Sequence, residues 1–482
     1  MRIALINPIL ENETCFHPPL GLCYLAAYLI REGHQVIIID REVLRYKNKN
    51  TINYETARIL EEYRPQIVGA TATTPQIPDV VNTLKLVKDS NTNIKTILGG
   101  IHASVYKQQV LQDYPQIDYI VYGEGEITLS ELAKEKPIKD ILGLIFRDYI
   151  EDQPIEFTNP PRPLIQNLDD IPIPARHLLD MDYYTKSGPI ILTGIELRAL
   201  HTYTARGCPF ACSFCASTYV FTRKLRFNSP ERVIEEVEHL INTYHIKGLN
   251  FLEDAFFTNK ERAKKICELF IIRGLNKKIV WGVLLRSDMA TEDTLKLLKE
   301  AGCVQVNYGF ESGSQRVLDL MNKGTTVEQN LKAAQLTKKY GMRIFGNFMV
   351  GIPGETKEDM LLTFDFIKKV EPDYMQLAKY TPFPGSKMFN DMIKNDIKLS
   401  KKLTEYTIGG DEHRDIFCDV EEKEYHKLVD DFYKSYIRPL IYRKYLAYNL
   451  LRHPISVIKT AFAKLQDIVN KVMLEEDKND DT

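Results

Sequence analysis

Short apolar runs of strand length alternate with helical segments along most of this chain, and that rhythm restricts its fold more than any other feature. Arg2–Ile6, Gln35–Asp40, Ile67–Thr71, Ile94–Leu98 and Asp118–Tyr122 read as buried strands. Gly21–Glu32, Thr56–Tyr63 and Asp79–Ser90 read as helices between them, and Gly33 stands where a C-cap belongs. Repeated βα units imply a parallel sheet covered by helices. The rhythm resumes further on, with strands at Leu200–Tyr203, Gly248–Leu252, Ile279–Leu285, Val304–Phe310, Arg343–Val350 and Tyr374–Leu377. Helices at Ser229–Tyr244, Lys260–Arg273, Thr291–Ala301, Thr326–Tyr340 and Thr356–Val370 separate them. The expected fold class is therefore α/β. A doubly wound, Rossmann-like domain leads into a partial (β/α)6 TIM-type barrel and a helical C-terminal region.

At roughly 150 residues per domain, the 482 residues suggest about three folded units. The first spans 1–140. Prolines 160, 161, 163, 172 and 174 mark 141–195 as an extended linker. The barrel takes 196–395, and 396–482 forms a helical cap with an acidic tail. The 63 Lys and Arg against 65 Asp and Glu leave a net charge of −2, which excludes a protein coated in basic charge for nucleic acid. Eight cysteines are too few for a disulfide scaffold. No run nears the ~20 apolar residues of a membrane span. Met1–Ile6 is too short for a signal peptide, so a cytoplasmic enzyme is expected.

Open parallel sheets bind ligands beyond the carboxyl ends of their strands. Four loops there are rich in small residues: Pro18-Pro19-Leu20-Gly21, Thr71-Ala72-Thr73-Thr74, Gly99-Gly100-Ile101-His102 and Gly123-Glu124-Gly125-Glu126. One turn glycine needs no ligand, but four such loops on one edge point to a large flat or phosphate-bearing one. No GxGxxG follows the first strand, so a dinucleotide site is not supported. Residues 1 to about 140 resemble the cobalamin-binding domain that precedes one class of radical SAM barrel. The resemblance implies that Pro19, Gly21, Thr71, Thr73, Gly99, Gly100, His102, Gly123 and Glu124 contact cobalamin. The Asp-x-His-x-x-Gly signature is absent, so that motif supplies no histidine to cobalt.

Cys208, Cys212 and Cys215 follow a strand-like run in the spacing Cys-x3-Cys-x2-Cys. Three thiolates on one short loop hold three irons of a cubane and leave the fourth open. Structural zinc needs four closed ligands, and the only near candidate, His201, lies in the preceding strand. A redox Cys-x2-Cys leaves Cys208 unexplained. The loop, with Phe214 before its last cysteine, resembles the signature of the radical SAM superfamily. That implies a [4Fe-4S] cluster whose open iron chelates S-adenosylmethionine (SAM) and cleaves it to a 5'-deoxyadenosyl radical. The resemblance places Glu253 and Asp254 at the SAM ammonium, Arg286 at its carboxylate, and Glu311 with Ser312 at the ribose. The run GNFMVGIPGE, which contains Gly351, would approach the adenine. Tyr380–Gly385 would close the substrate cavity. Cys15, Cys23, Cys267, Cys303 and Cys418 read as ordinary buried thiols.

From Lys434 to Gln466 there are seven Lys or Arg and no Asp or Glu. A solvated helical cap is the simpler reading, and a basic amphipathic surface for peripheral contact with a membrane or an anionic substrate is the functional one. Together the resemblances span about residues 1 to 390 and imply a cobalamin-dependent radical SAM enzyme. The expected reaction is methylation, through methylcobalamin, of an unactivated carbon in a small-molecule or lipid substrate, with an external flavodoxin- or ferredoxin-type reductant. Oxidative ring formation of the magnesium-protoporphyrin monomethyl ester cyclase kind is the alternative, and a non-catalytic sensor is a distant third. No nucleic-acid partner is expected.

Overall fold

The strand runs assemble into two separate sheets. The computed structural model describes residues 1–11, 14–150, 153–186, 197–217, 219, 222–253, 256–407, 415–440 and 443. The first sheet begins with β1 (Arg2–Asn7), β2 (Gln35–Asp40), β3 (Ile67–Thr71), β4 (Lys95–Gly99) and β5 (Tyr119–Val121). They lie parallel in the order β2-β1-β3-β4-β5. The order reverses at β1, and a crevice opens at the carboxyl ends of strands at such a point. The helices are α1 (Leu20–Arg31), α2 (Ile52–Tyr63), α3 (Ile77–Ser90), α4 (Gly100–Tyr106) and α5 (Glu126–Ala133). Ala4, Ile6, Val68, Leu98 and Ile120 form a core with Val80 and Leu84 of α3. Gly33, at φ +88, ends α1 as its sequence position foretells: its N–H donates to the Ile30 carbonyl and that of His34 to Leu29, each at 3.0 Å.

Two features depart from the sequence reading of this part. Residues 144–158, expected within a linker, form β6 (Leu144–Ile150) and β7 (Gln153–Thr158), which extend the sheet antiparallel from β5. Leu144 and Ile145 are fully buried, so this hairpin belongs to the sheet's core. And Gly100 starts α4 directly, where sequence suggested only a loop. At φ +90, a Cβ there would stand 2.6 Å from Thr71 Oγ1 and 2.9 Å from the backbone of Ala72, so glycine permits close packing.

The second sheet contains β8 (Ala199–Thr202), β11 (Gly248–Phe251), β12 (Val280–Leu285), β13 (Cys303–Glu311), β14 (Arg343–Val350) and β15 (Tyr374–Lys379). They run parallel in chain order, as a six-stranded half-barrel. A short antiparallel ribbon of β9 (Ala205–Arg206) and β10 (Arg226–Phe227) lies between β8 and β11. The helices are α6 (Pro230–Tyr244), α7 (Lys260–Ile272), α8 (Glu292–Glu300), α9 (Val327–Lys339), α10 (Lys357–Val370) and α11 (Lys387–Lys394). Ser229, Asn259, Thr291, Thr326 and Thr356 each cap a barrel helix by accepting the N–H three residues on. Each such cap contributes about 1 kcal/mol. These signals explain why the helix starts are readable in the sequence.

Met1–Asp419 packs as one compact unit containing both sheets, and Val420–Thr482 is a second. The first thus runs beyond the expected boundary at 395. Leu403 packs on the first sheet's core, and Leu399 and Phe417 pack on a barrel cluster with Tyr380. In the second unit, α12 (Glu422–Phe432) widens into a π-helical turn at Tyr433–Ile437, just ahead of Pro439. Proline has no N–H to donate to the preceding turn, so the ladder is interrupted there. The basic stretch beyond, apart from residue 443, and the acidic tail lie outside the described residues. Among the described residues no helix is long and apolar enough to cross a membrane.

Candidate active site

The cysteine loop is an excursion between β9 and β10, whose pairing closes its base. Gly207 opens it at φ +93, where a Cβ would stand 2.3 Å from the Lys224 carbonyl oxygen, so only glycine fits. Ser213 holds its middle. Its N–H donates to the Met321 carbonyl at 2.8 Å and its hydroxyl to that of Leu320 at 3.1 Å. Its own carbonyl accepts from the Met388 N–H at 2.8 Å. Asn322 Nδ2 donates to the Ala211 carbonyl at 2.8 Å. Cys208, Cys212 and Cys215 are half-buried. Among the described residues no three His, Cys, Asp or Glu side chains gather as ligands of one metal ion. Three thiols on one braced loop instead fit a cubane, which gives each thiolate its own iron.

Two aromatic residues of the loop meet two cations. The Arg286 guanidinium, at the end of β12, lies 3.6 Å from the Phe210 ring centroid. Its nitrogens donate to Asp288 at 3.1 and 3.2 Å and to the carbonyls of Lys323 (3.0 Å) and Gly324 (3.3 Å). Phe214 packs on the cluster of Val317, Met321, Ile352, Tyr380 and Met392. Lys323 Nζ lies 5.8 Å from its ring centroid and 2.7 Å from Glu311 Oε1. Burial presses this ammonium toward neutrality, but Glu311 and Cys212 outweigh it and hold its pKa above the usual value. Glu311 sits at φ +62, where the β13–β14 register shifts. A Cβ on Gly309 would come within 2.4 Å of Glu311 Oε1 and 2.9 Å of Lys323 Nζ, so this glycine makes room for the ion pair. Sequence reading missed Lys323. It lies in a turn with no motif, and only the fold brings it to Glu311.

Glu253, buried at the end of β11, accepts from the Thr204 N–H at 2.7 Å and from the Thr204 hydroxyl, with Arg262 Nη1 at 4.0 Å. Asp254 lies outside the described residues. Ser312 is fully buried, and its hydroxyl faces Thr363 Oγ1 at 2.8 Å, within the packing of α10. Gly351, at φ +89, donates its N–H to Glu355. Burial raises the Glu355 carboxyl to a pKa of about 7, and its Oε1 has no hydrogen-bond partner.

A cavity of about 580 Å³ joins the two sheets. Gly21, Thr71, Gly99, Gly100, Gly123 and Glu124 line it from the first sheet. Ala205, Arg206, Gly207, Ser217, Leu252 and Glu253 line it from the barrel. A Cβ on Gly21 or Gly123 would meet nothing within 4 Å, so these glycines hold open a cradle that side chains would fill. Leu5, Ile97 and Val121 of the strands and Leu25 and Leu129 of α1 and α5 give the same cavity an apolar lining. The glycine cradle and the apolar lining fit a large, flat ligand.

Three residues expected here stand elsewhere. Pro19 precedes α1, and its carbonyl accepts from the Cys23 N–H at 3.1 Å. Thr73 is exposed and meets Gln76 Oε1 at 2.9 Å. His102 is buried, with Nδ1 3.2 Å from Thr74 Oγ1 and its ring against Tyr106, and burial lowers its pKa to about 4. Glu124 does line the cavity, but its carboxylate accepts from Arg226 at 2.8 and 2.9 Å, Arg206 at 3.0 Å and the Ile165 N–H at 2.9 Å. Glu126 takes the other Arg206 nitrogen at 2.6 Å. These ion pairs tie the first sheet's last glycine loop to the ribbon beneath the cysteines. Among the other cysteines, Cys23, Cys267 and Cys303 are buried as expected, but Cys15 and Cys418 are only half-buried.

A half-barrel with a three-cysteine loop at its mouth, facing a parallel sheet across a glycine-lined cavity, defines a radical SAM enzyme behind a cobalamin-type domain. Residues 202–367 match the radical SAM superfamily and 8–133 the B12 binding domain. An uncharacterised methyltransferase of Pyrococcus horikoshii is 37% identical over 477 residues, covering 96% of this chain and 98% of the relative. The anaerobic magnesium-protoporphyrin IX monomethyl ester cyclase of Rubrivivax gelatinosus is 32% identical, covering 81% and 70%. The fold is shared with the radical SAM methyltransferase TsrM of Kitasatospora setae, at TM-score 0.70 and 19% identity over 90% of this chain and 88% of that one. The chain belongs to the cobalamin-binding radical SAM superfamily. Its cofactors are a [4Fe-4S] cluster, SAM and cobalamin, and it needs a reductant to act on a small molecule.

Proposed function

We propose that this enzyme methylates an unactivated carbon of a small-molecule or lipid substrate bound between its two sheets. One observation carries the reading: a single cavity is lined both by the glycine loops of the first sheet and by the base of the cysteine loop. When bound, the cluster and SAM supply a 5'-deoxyadenosyl radical that removes a substrate hydrogen, and methylcobalamin supplies the methyl group.

The chain's residues divide the work. Cys208, Cys212 and Cys215 hold three irons and leave the fourth for SAM, with Phe214 packed behind them. Glu253 and Glu311 present carboxylate oxygens at strand ends, suited to an ammonium and to ribose hydroxyls. Gly351 lets the backbone approach the adenine. Arg286 enters as a brace for the cysteine loop, since its nitrogens already serve Asp288 and two carbonyls. Gly21, Gly99, Gly100 and Gly123 would hold cobalamin against the first sheet, together with the apolar lining from the strands, α1 and α5. The walls of the two sheets would limit contact of a reactive intermediate with water and stray hydrogen donors. Glu124 positions the cradle over the loop. Cytoplasmic location and a flavodoxin- or ferredoxin-type donor complete the reading, and the basic stretch after Lys434 is the candidate contact for an anionic surface.

The Pyrococcus relative's name supports methyl transfer, and the cyclase relatives supply the competing outcome. Product mass separates them after anaerobic reconstitution: a gain of one methylene supports methylation, and a loss of hydrogens or a gain of oxygen supports the cyclase outcome. Cys212→Ala is expected to lose the cluster's visible absorbance and all SAM cleavage. Retention of both would sink the cluster assignment.

A further inference from the structure

A second cavity, of about 360 Å³, reaches the cysteine loop from another side. Ala211, Cys212 and Cys215 form its floor, and α11 and Tyr219 form its walls. It shares no lining residue with the larger cavity. Its rim carries Arg223, Lys387 and Lys394 against the single carboxylate of Asp391, which pairs with Lys387. Among the described residues no carboxylate pairs with Arg223 or Lys394, and both are exposed. Tyr219 (41% exposed) in the wall and Ile393 (52%) on α11 add apolar surface beside the charge. Gly385, at φ +90, lets the Tyr219 ring pack close, since a Cβ there would meet the ring at 3.2 Å.

We propose that this face is the docking site of an acidic one-electron carrier protein, which delivers its electron through the floor formed by Cys212 and Cys215. The proposal rests on the reading of those cysteines as cluster ligands. The carrier is oxidised by one electron and the thiolate-held cluster is reduced by one, with no bond made or broken at the interface. A positive rim steers an acidic partner and sets its orientation. The floor carries the loop where the electron must arrive, and this approach is separate from the larger cavity.

The test uses the full-length reconstituted protein and an acidic flavodoxin as probe. Binding is measured at low and high salt for the wild type, for Arg223→Glu with Lys394→Glu, and for Lys85→Glu, a remote exposed control on α3. The paired reversal is expected to weaken binding about tenfold or more at low salt, and the control to leave it unchanged. Flavodoxin-driven SAM cleavage should fall in step, while cleavage driven by dithionite, a small reductant that needs no docking, stays within about twofold. Equal affinity in the reversed and wild-type proteins overturns the proposal. Loss of dithionite-driven cleavage to the same degree also overturns it, because the cations then serve another role. If the wild type binds flavodoxin as described but neither reductant drives cleavage, the catalytic reading fails and the docking face stands.

Discussion

Glu311, Lys323 and Gly309 meet beside the cysteine loop as one device, although they belong to a strand end, a turn and a strand interior. Removing the amine while keeping the bulk, as in Lys323→Met, leaves a buried carboxylate alone. It is expected to cost about 3–5 kcal/mol, measured by denaturant unfolding. The purpose of Gly309 depends on the atoms that lie opposite it, which its local sequence does not contain. Glu355 gives a pH prediction. Burial raises its folded carboxyl to about 7, above the ordinary carboxylate value of 4.5. Between these values the folded state binds the extra proton, so the stability this group contributes is full below about pH 4.5 and is lost as pH rises through about 7. Glu355→Gln mimics the protonated form and should flatten that part of the stability–pH curve. An unchanged slope over this window would exclude Glu355 as its source.

In the proposed function the cysteine loop carries the chemistry, and its contacts with the chain beyond β13 and with α11 keep it in shape. Gly207→Ala should crowd the Lys224 carbonyl and impose an unfavourable φ on a residue with a Cβ. Iron content after reconstitution should drop well below the wild-type level, while far-ultraviolet circular dichroism stays the same. Full iron loading in that variant would show that the loop tolerates the shift. Helix and strand existence were legible here because each signal is local: Ser229 and Thr356 cap helices within four residues, and Gly33 closes α1 within one turn. The β6–β7 hairpin was not legible. Its pairing partner β5 lies more than 20 residues earlier in the chain, and the prolines after it dominated the local pattern.

For the molecule as a whole, the decisive relation is that between the two sheets. Arg226 and Arg206 meet Glu124 and Glu126 across some 80 to 100 residues of chain, buried beside the larger cavity. Glu124→Ala leaves Arg226 buried with its partner removed and is expected to cost about 3–5 kcal/mol in unfolding. Its cobalamin affinity should fall, read by absorbance titration, because the glycine loop loses its anchor. Unchanged stability and affinity would show that these pairs do not anchor the glycine loop. The cysteine spacing, the strand and helix rhythm and the glycine-rich strand ends were set by the sequence alone, since each rests on neighbours a few residues apart. Which residues face a ligand was decided only by the tertiary structure. Gly21 and Gly123 open onto the cavity, His102 and Ser312 turn into the core, and the carboxylate of Glu124 goes to arginines. Burial, ion pairing and close approach depend on atoms brought together from distant parts of the chain, and no local pattern contains them.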